Sequence, residues 1–167
     1  MPGDLERVTI AAVTRANWRE ALTLAVAPDQ QRFVAGYAPI AALALAKAYI
    51  RPGGAVWAPY VFYAHDSAQA ASNGAMVGFA TLAYEPESAD SYWLYHFFID
   101  ERYQGHGYGR LALERLIAVT LATHPRCRAI QLTVHPENAR AQRFYMNAGF
   151  HATGELLDGE PVYRLAW

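Results

Sequence analysis

The chain of 167 residues carries 14 lysines and arginines against 15 aspartates and glutamates, a formal net charge of −1. Hydrophobic residues make up 53% and charged residues 17%; this excludes a disordered polyelectrolyte and suits one domain, residues 1–167, with a core of its own. So small a charge supplies no general field for nucleic acid or an anionic membrane, and neither is an expected partner. Lys47 is the only lysine, a bias that reads as codon usage rather than function. Cys127 is the only cysteine, so no disulfide can close within the chain. Met1 to Arg7 lacks the basic head and apolar run of a signal peptide. The most apolar stretch, Ala38 to Ile50, is too short to span a bilayer and holds Pro39 and Lys47. The expected setting is the cytoplasm.

In chain order, Val8 to Val13 is β-rich and predicts the first strand. Asn17 can cap a helix through Ala25, and Pro28-Asp29 opens a further turn toward Val34. Pro39 starts an alanine- and leucine-rich helix that Arg51-Pro52-Gly53-Gly54 breaks after Ile50. Val56 to Ala64 and Met76 to Tyr84 predict two strands, with Asn73-Gly74 as a hairpin signal between them. Tyr92 to Asp100 is the most aromatic strand. After a glycine-rich loop, Leu113, Leu116, Ile117 and Leu121 mark one face of a helix that Pro125 ends. Ala129 to His135 predicts a short buried strand, and Asn138 caps a helix with Ala141, Phe144, Tyr145 and Ala148 on its apolar face, stopped by Gly149. Phe150 to Leu157 and Val162 to Trp167 close as a hairpin across Asp158-Gly159. This order predicts an α/β layered sheet.

The loop Gln104-Gly105-His106-Gly107-Tyr108-Gly109 stands between a strand and a helix. A helix N-terminus leaves backbone N–H groups unpaired with a partial positive charge. Alternate glycines let that backbone approach an anion, so a pyrophosphate can be held by amides. The spacing is neither a dinucleotide fingerprint nor a P-loop, and a plain glycine-rich turn is the competing reading. The six histidines (His65, His96, His106, His124, His135 and His151) have no metal-ligand spacing, so no metal is expected.

The run Ile99 to Arg110 resembles the acetyl-CoA loop of the GNAT family of N-acetyltransferases, whose signature is Gln/Arg-x-x-Gly-x-Gly/Ala. The stretch Val134 to Phe150 is similar to that family's other cofactor segment, and the order of elements matches over nearly the whole chain. Leu94 to Gly109, Gly154-Glu155-Leu156 and the Asn17 to Val34 region look like the bacterial spermine/spermidine (diamine) acetyltransferase branch. The resemblance implies an α/β fold: one mixed, mostly antiparallel, twisted sheet flanked by helices and splayed at the strands that bind acetyl-CoA. It also implies acetyl-CoA as cosubstrate and a small-molecule amine, foremost a polyamine or diamine, as acceptor.

Residue by residue, the resemblance puts Phe97, Phe98, Ile99, Gln104, Gly105, His106, Gly107, Tyr108, Gly109, Arg110, Asn138, Phe144 and Tyr145 against the cosubstrate. A backbone N–H at Phe98 or its neighbour would hold the thioester oxygen, and Tyr145 would protonate the departing thiolate. A core aromatic is the plainer reading of Tyr145, an N-cap that of Asn138, and a solvated surface charge that of Arg110 and Arg102. For the base, His96 and Glu85 are candidates; Glu20, Glu85, Glu87 and Asp90 are candidates for the acceptor site. Trp57, Tyr60, Tyr63, Trp93 and Tyr95 could receive a cationic acceptor by cation–π contact or could simply pack the sheet. The same chemistry would serve an amine-bearing antibiotic or a protein amine. A non-catalytic acyl-CoA sensor and a plain nucleotide or phosphate site stay open, and an edge strand near the C-terminus could pair two copies as a homodimer.

Overall fold

A computed structural model describes residues 6–34, 36, 39–65 and 74–167. Met1 to Leu5, Ala38 and Asn73, which enter the sequence reading, lie outside those residues. Seven strands form one sheet in the order β1-β2-β3-β4-β5-β7-β6. They are β1 (Val8–Ala12), β2 (Val56–Ala64), β3 (Ala75–Tyr84), β4 (Tyr92–Ile99), β5 (Ala129–Thr133), β6 (His151–Leu157) and β7 (Glu160–Ala166). The helices are α1 (Trp18–Ala21), α2 (Ile40–Ile50), α3 (Tyr108–Thr123) and α4 (Ala139–Asn147).

Five neighbour pairs are antiparallel. The sixth, β4 with β5, is parallel and meets at one residue pair, Trp93 and Gln131. A parallel neighbour needs a long crossover, which α3 supplies. Past Trp93 the two strands separate, so the sheet opens as a wedge between its halves.

Apolar side chains cover both faces of the sheet. Phe62, Val77, Ala80, Leu82, Tyr92 and Leu94 pack with Leu111, Leu113 and Leu116 of α3. On the opposite face Val61, Phe79 and Phe98 pack with Ala21 of α1, with Leu24 beyond its end, and with Ile40, Ala41 and Ala44 of α2. The expected stripe on α3 is rotated slightly: Leu111, Ala112, Leu113, Leu116 and Thr120 are the buried residues, and Leu121 is only half-buried.

The helix expected from Asn17 to Ala25 is a single turn ending at Ala21. Asn17 does not cap it. Its side chain instead accepts from the Thr14 N–H at 2.7 Å and donates to the Ala12 carbonyl at 3.1 Å, fastening the end of β1. Pro28–Phe33 forms a 3-10 turn. From it Arg32 reaches Glu137 at 3.5 Å and the Phe33 ring meets His135 at 5.2 Å. This segment therefore touches the far half of the wedge.

Candidate active site

The wedge begins with a fault in β4. Phe79 pairs with Phe98, but Thr81 pairs with Tyr95, so one residue of β3 faces two of β4. The extra residue is His96, at φ 53. A β-bulge bends its strand, and the left-handed region is costly for a side chain with a Cβ. The bulge reverses the alternation, turning Phe97 toward the α3 face and Phe98 toward the α2 face. Because β5 has already departed, the outer edge of β4 keeps unpaired backbone groups there.

At the far end of β4 the chain enters the glycine loop. Asp100 is 1% exposed and accepts from the Ala25 N–H at 3.0 Å, the Arg102 N–H at 3.0 Å and the Arg102 guanidinium at 2.7 and 3.2 Å. Burial raises its carboxyl pKa, yet the bonds from Arg102 and Ala25 outweigh this and hold it below the usual carboxylate range. Sequence reasoning gave Asp100 no role. Its signal is its place between the apolar strand and the loop, where a lone carboxylate can gather several donors.

The loop amides are available. Gly105 and Gly107 stand at φ 81 and 79, and a Cβ built on either would meet nothing within 4 Å. No side chain caps the 16-residue α3, so its first N–H groups face this open space with the positive end of the helix dipole behind them. An anion of pyrophosphate size fits such a cradle. The side chains around it are mostly engaged in holding the loop. Gln104 donates to the Ile99 carbonyl at 2.9 Å and exchanges bonds with Gln30 at 2.9 and 3.0 Å. His106 Nδ1 lies 2.9 Å from the Gln104 carbonyl, and its ring stacks on Tyr108 at 5.9 Å. Arg110 pairs with Glu114 at 2.8 Å. Gly109 lies under Phe144, where a Cβ would stand 3.5 Å from the ring.

The opposite wall is α4. Asn138 accepts from the Ala141 N–H at 3.1 Å as an N-cap. Tyr145 is buried among Phe97 at 6.3 Å, Phe144 at 5.1 Å and Phe150 at 5.6 Å between ring centroids, and burial pushes its phenol above the usual value. Phe97 also stacks on Phe144 at 6.0 Å. Thus the bulge, the loop and α4 converge on one aromatic junction.

The acceptor candidates divide. Glu85 lines a pocket of 210 Å³ with Trp57, Tyr84, Ser91, Trp93 and Tyr95. Glu87 is exposed and pairs with Arg126 at 3.6 Å. Asp90 pairs with Arg164 at 2.8 Å and so clamps the β3–β4 loop to β7. Glu20 is exposed on α1 and is not among the residues lining this pocket. Of the aromatics, Tyr60 packs with the α3-side core and Tyr63 with the α1 and α2 cluster. Trp57 and Tyr95 stack at 4.9 Å, and Trp93 stacks on Tyr95 at 6.3 Å.

Over that stack lies Lys47, its Nζ 4.7 Å from the Trp57 ring centroid and 5.6 Å from that of Tyr95. The lone lysine therefore lies against two of the rings that line this pocket. Three buried polar atoms lack partners among the described residues: Trp57 Nε1, Thr81 Oγ1 and His96 Nε2. Buried polar groups are normally bonded, and these three stand side by side on the adjacent strands β2, β3 and β4. Burial, with Lys47 nearby, pushes the His96 imidazole down to about 4. Among the described residues no group of three or more His, Cys, Asp or Glu could hold a metal ion, and no helix is long and apolar enough to cross a membrane.

The acetyltransferase (GNAT) family model matches residues 42–150, which hold the bulge, the glycine loop and α4. This chain belongs to that family. It is 42% identical over 95 residues to the spermine/spermidine N(1)-acetyltransferase of Bacillus subtilis (strain 168), and 40% identical over 95 residues to the probable spermine N(1)-acetyltransferase of Bacillus subtilis subsp. natto (strain BEST195). Each match takes in 53% of this chain and only 62% of the relative. Among solved structures, the fold is similar to spermidine N-acetyltransferase from Vibrio cholerae in complex with CoA and spermine. That likeness has a TM-score of 0.70 at 18% identity and covers 95% of this chain and 94% of the other. An aminoglycoside acetyltransferase in complex with coenzyme A scores 0.67 at 20% identity, with the same coverage. At such identities the likeness concerns the GNAT fold, and the two acceptors named differ.

Proposed function

We propose that residues 1–167 form one cytoplasmic acetyl-CoA-dependent N-acetyltransferase domain that acetylates a primary amine of a small molecule, a polyamine or diamine foremost, by direct attack in a ternary complex. The observation that carries this reading is the convergence of the His96 bulge, the open glycine cradle and Tyr145 on one wedge. The polyamine is favoured by the two Bacillus relatives and by Glu85 at the pocket rim.

Acetyl-CoA bound here would supply an acetyl group activated as a thioester. The amides of Gly105 to Gly109 and the α3 N-terminus would hold its phosphates, and Asn138 and Phe144 its arm. Of Phe98 and its neighbour, Phe98 lies in register with Phe79 of β3, so the backbone N–H at Phe97, toward the open edge of β4, would stabilise negative charge on the carbonyl oxygen. Tyr145 would donate its phenolic proton to the departing sulfur; a phenol whose pKa burial has raised stays protonated until a strong base arrives. An alkylammonium of pKa about 10.4 must first lose a proton, at a cost of about 5 kcal/mol at pH 7. His96 is neutral at that pH, so its free Nε2 can accept a hydrogen bond from the incoming amine. Its low basicity makes it a weak acceptor of an ammonium proton.

The test is thiol release from acetyl-CoA with spermidine, spermine, putrescine, an aminoglycoside and a lysine peptide. Saturable release with the polyamines supports the proposal. Release with the aminoglycoside or peptide alone would replace the acceptor, and tight acetyl-CoA binding with no release on any amine would favour the sensor reading. Strand β6, the outer edge of the sheet, is where two copies would pair, with Leu156 and Leu157 exposed on it.

A further inference from the structure

Lys47 stands where a cationic acceptor would be expected to sit. Its ammonium already covers the Trp57–Tyr95 stack, and among the described residues no carboxylate pairs with it. Glu85 and Ser91 line the pocket together with Trp57 and Tyr95, the two rings that Lys47 covers, and Tyr95 is followed directly by the bulged His96.

We propose that Lys47 is a positioning residue for the acceptor: its cation keeps the Trp57–Tyr95 side of the pocket from receiving an ammonium, so the reacting nitrogen is admitted as the free amine while a second, distal ammonium of the same molecule rests near Glu85. This rests on the acetyltransferase reading above and narrows its substrate class to amines with two separated nitrogens. It also answers the weakness of His96 as a base. The ammonium gives one proton to solvent on entry. The nitrogen then forms its bond to the acetyl carbon as the C–S bond breaks, a second proton passes from the nitrogen to solvent, the thiolate takes one from Tyr145, and solvent returns a proton to the phenolate, for a net release of one proton.

Like charges in a partly desolvated site disfavour each other's protonation. That field already acts within the chain, since Lys47 contributes to holding His96 neutral, while burial lowers the pKa of Lys47 itself. The titratable and charged groups facing this region are Tyr84 of β3, Tyr95 and His96 of β4, Glu85 at the pocket rim and Asp158 of the β6–β7 turn, whose charge is felt by Tyr95. Glu85 and Asp158 are the acidic ones, and Lys47 is the cation whose charge is felt at His96.

The experiment is the pH profile of kcat at saturating spermidine, which reports the bound amine, for the wild type, Lys47→Gln and Lys47→Arg. Loss of the charge should move the acid limb up by about one pH unit, a roughly tenfold loss at pH 7, with kcat falling, KM for spermidine unchanged or lower, and activity recovered at high pH. Lys47→Arg should keep the wild-type limb. An unmoved limb in Lys47→Gln, or an arginine variant that behaves like glutamine, overturns the proposal. A measurement independent of turnover is the His96 titration by NMR, which should rise in Lys47→Gln and stay in Lys47→Arg; no rise overturns it as well. Failure of every amine to react, with the His96 shift present, would instead remove the acetyl-transfer reading.

Discussion

The Tyr145 ring lies 6.3 Å from the ring of Phe97, which joins α4 to the bulged strand across the open wedge. Phe97 faces this way only because His96 adds a residue to β4. The placement of the candidate acid and the fault in the strand are thus one feature. Tyr145→Phe keeps the packing and removes only the hydroxyl. It should lower kcat on the true acceptor by about a hundredfold while leaving acetyl-CoA affinity within a factor of two or so, checked by steady-state rates beside calorimetric binding.

Stability should depend on pH through His96. Its folded pKa is about 4, below the ordinary value of 6.5. Between those values the unfolded chain binds the extra proton, so stability falls as pH drops through that window. The loss should be on the order of 2–3 kcal/mol, read from urea midpoints at pH 7 and pH 4.5. His124, between Tyr84 and Tyr92, is also lowered by burial, so His96→Asn serves as the reference: it should flatten only part of the slope.

Asp100 ties the start of the glycine loop to the N-terminal segment through Arg102 and the Ala25 amide. Asp100→Asn turns an amide toward donors that need an acceptor. The expected cost is about 2–3 kcal/mol of unfolding free energy, measured by denaturant titration, with acetyl-CoA binding weakened in the folded remainder.

How much of this was open to reading in the sequence depended on whether local chemistry alone decides the structure. The β6–β7 hairpin is legible because Asp158 and Gly159 both adopt positive φ, 51 and 83, as a two-residue turn between twisted strands requires. The α3 cradle is legible for the same reason. The bulge is not: Tyr92 to Ile99 is apolar or aromatic at nearly every position, so a one-residue slip leaves no mark in the hydropathy pattern. The place of Lys47 is hidden too, because α2 (IAALALAKAYI) is apolar on every side and its pattern does not tell which face meets the sheet. Asn17 misleads, since its side chain serves the end of β1 instead of α1.

Gly107 stands at φ 79 in open space, so Gly107→Ala meets no clash and pays only for its backbone conformation, about 1 kcal/mol. Acetyl-CoA affinity should fall several-fold as the loop shifts toward other conformers, with the melting temperature lowered by a few degrees. Calorimetric titration and thermal melts check both. An unchanged affinity would move the phosphates away from this loop.

The most direct test of the account is mass analysis of the amine after incubation with acetyl-CoA and the intact protein. The account predicts a polyamine carrying one acetyl group, formed at a rate that depends on both substrates together and collapses in Tyr145→Phe. Acetyl-CoA bound tightly but never consumed, with every amine in the panel recovered unmodified, would contradict it.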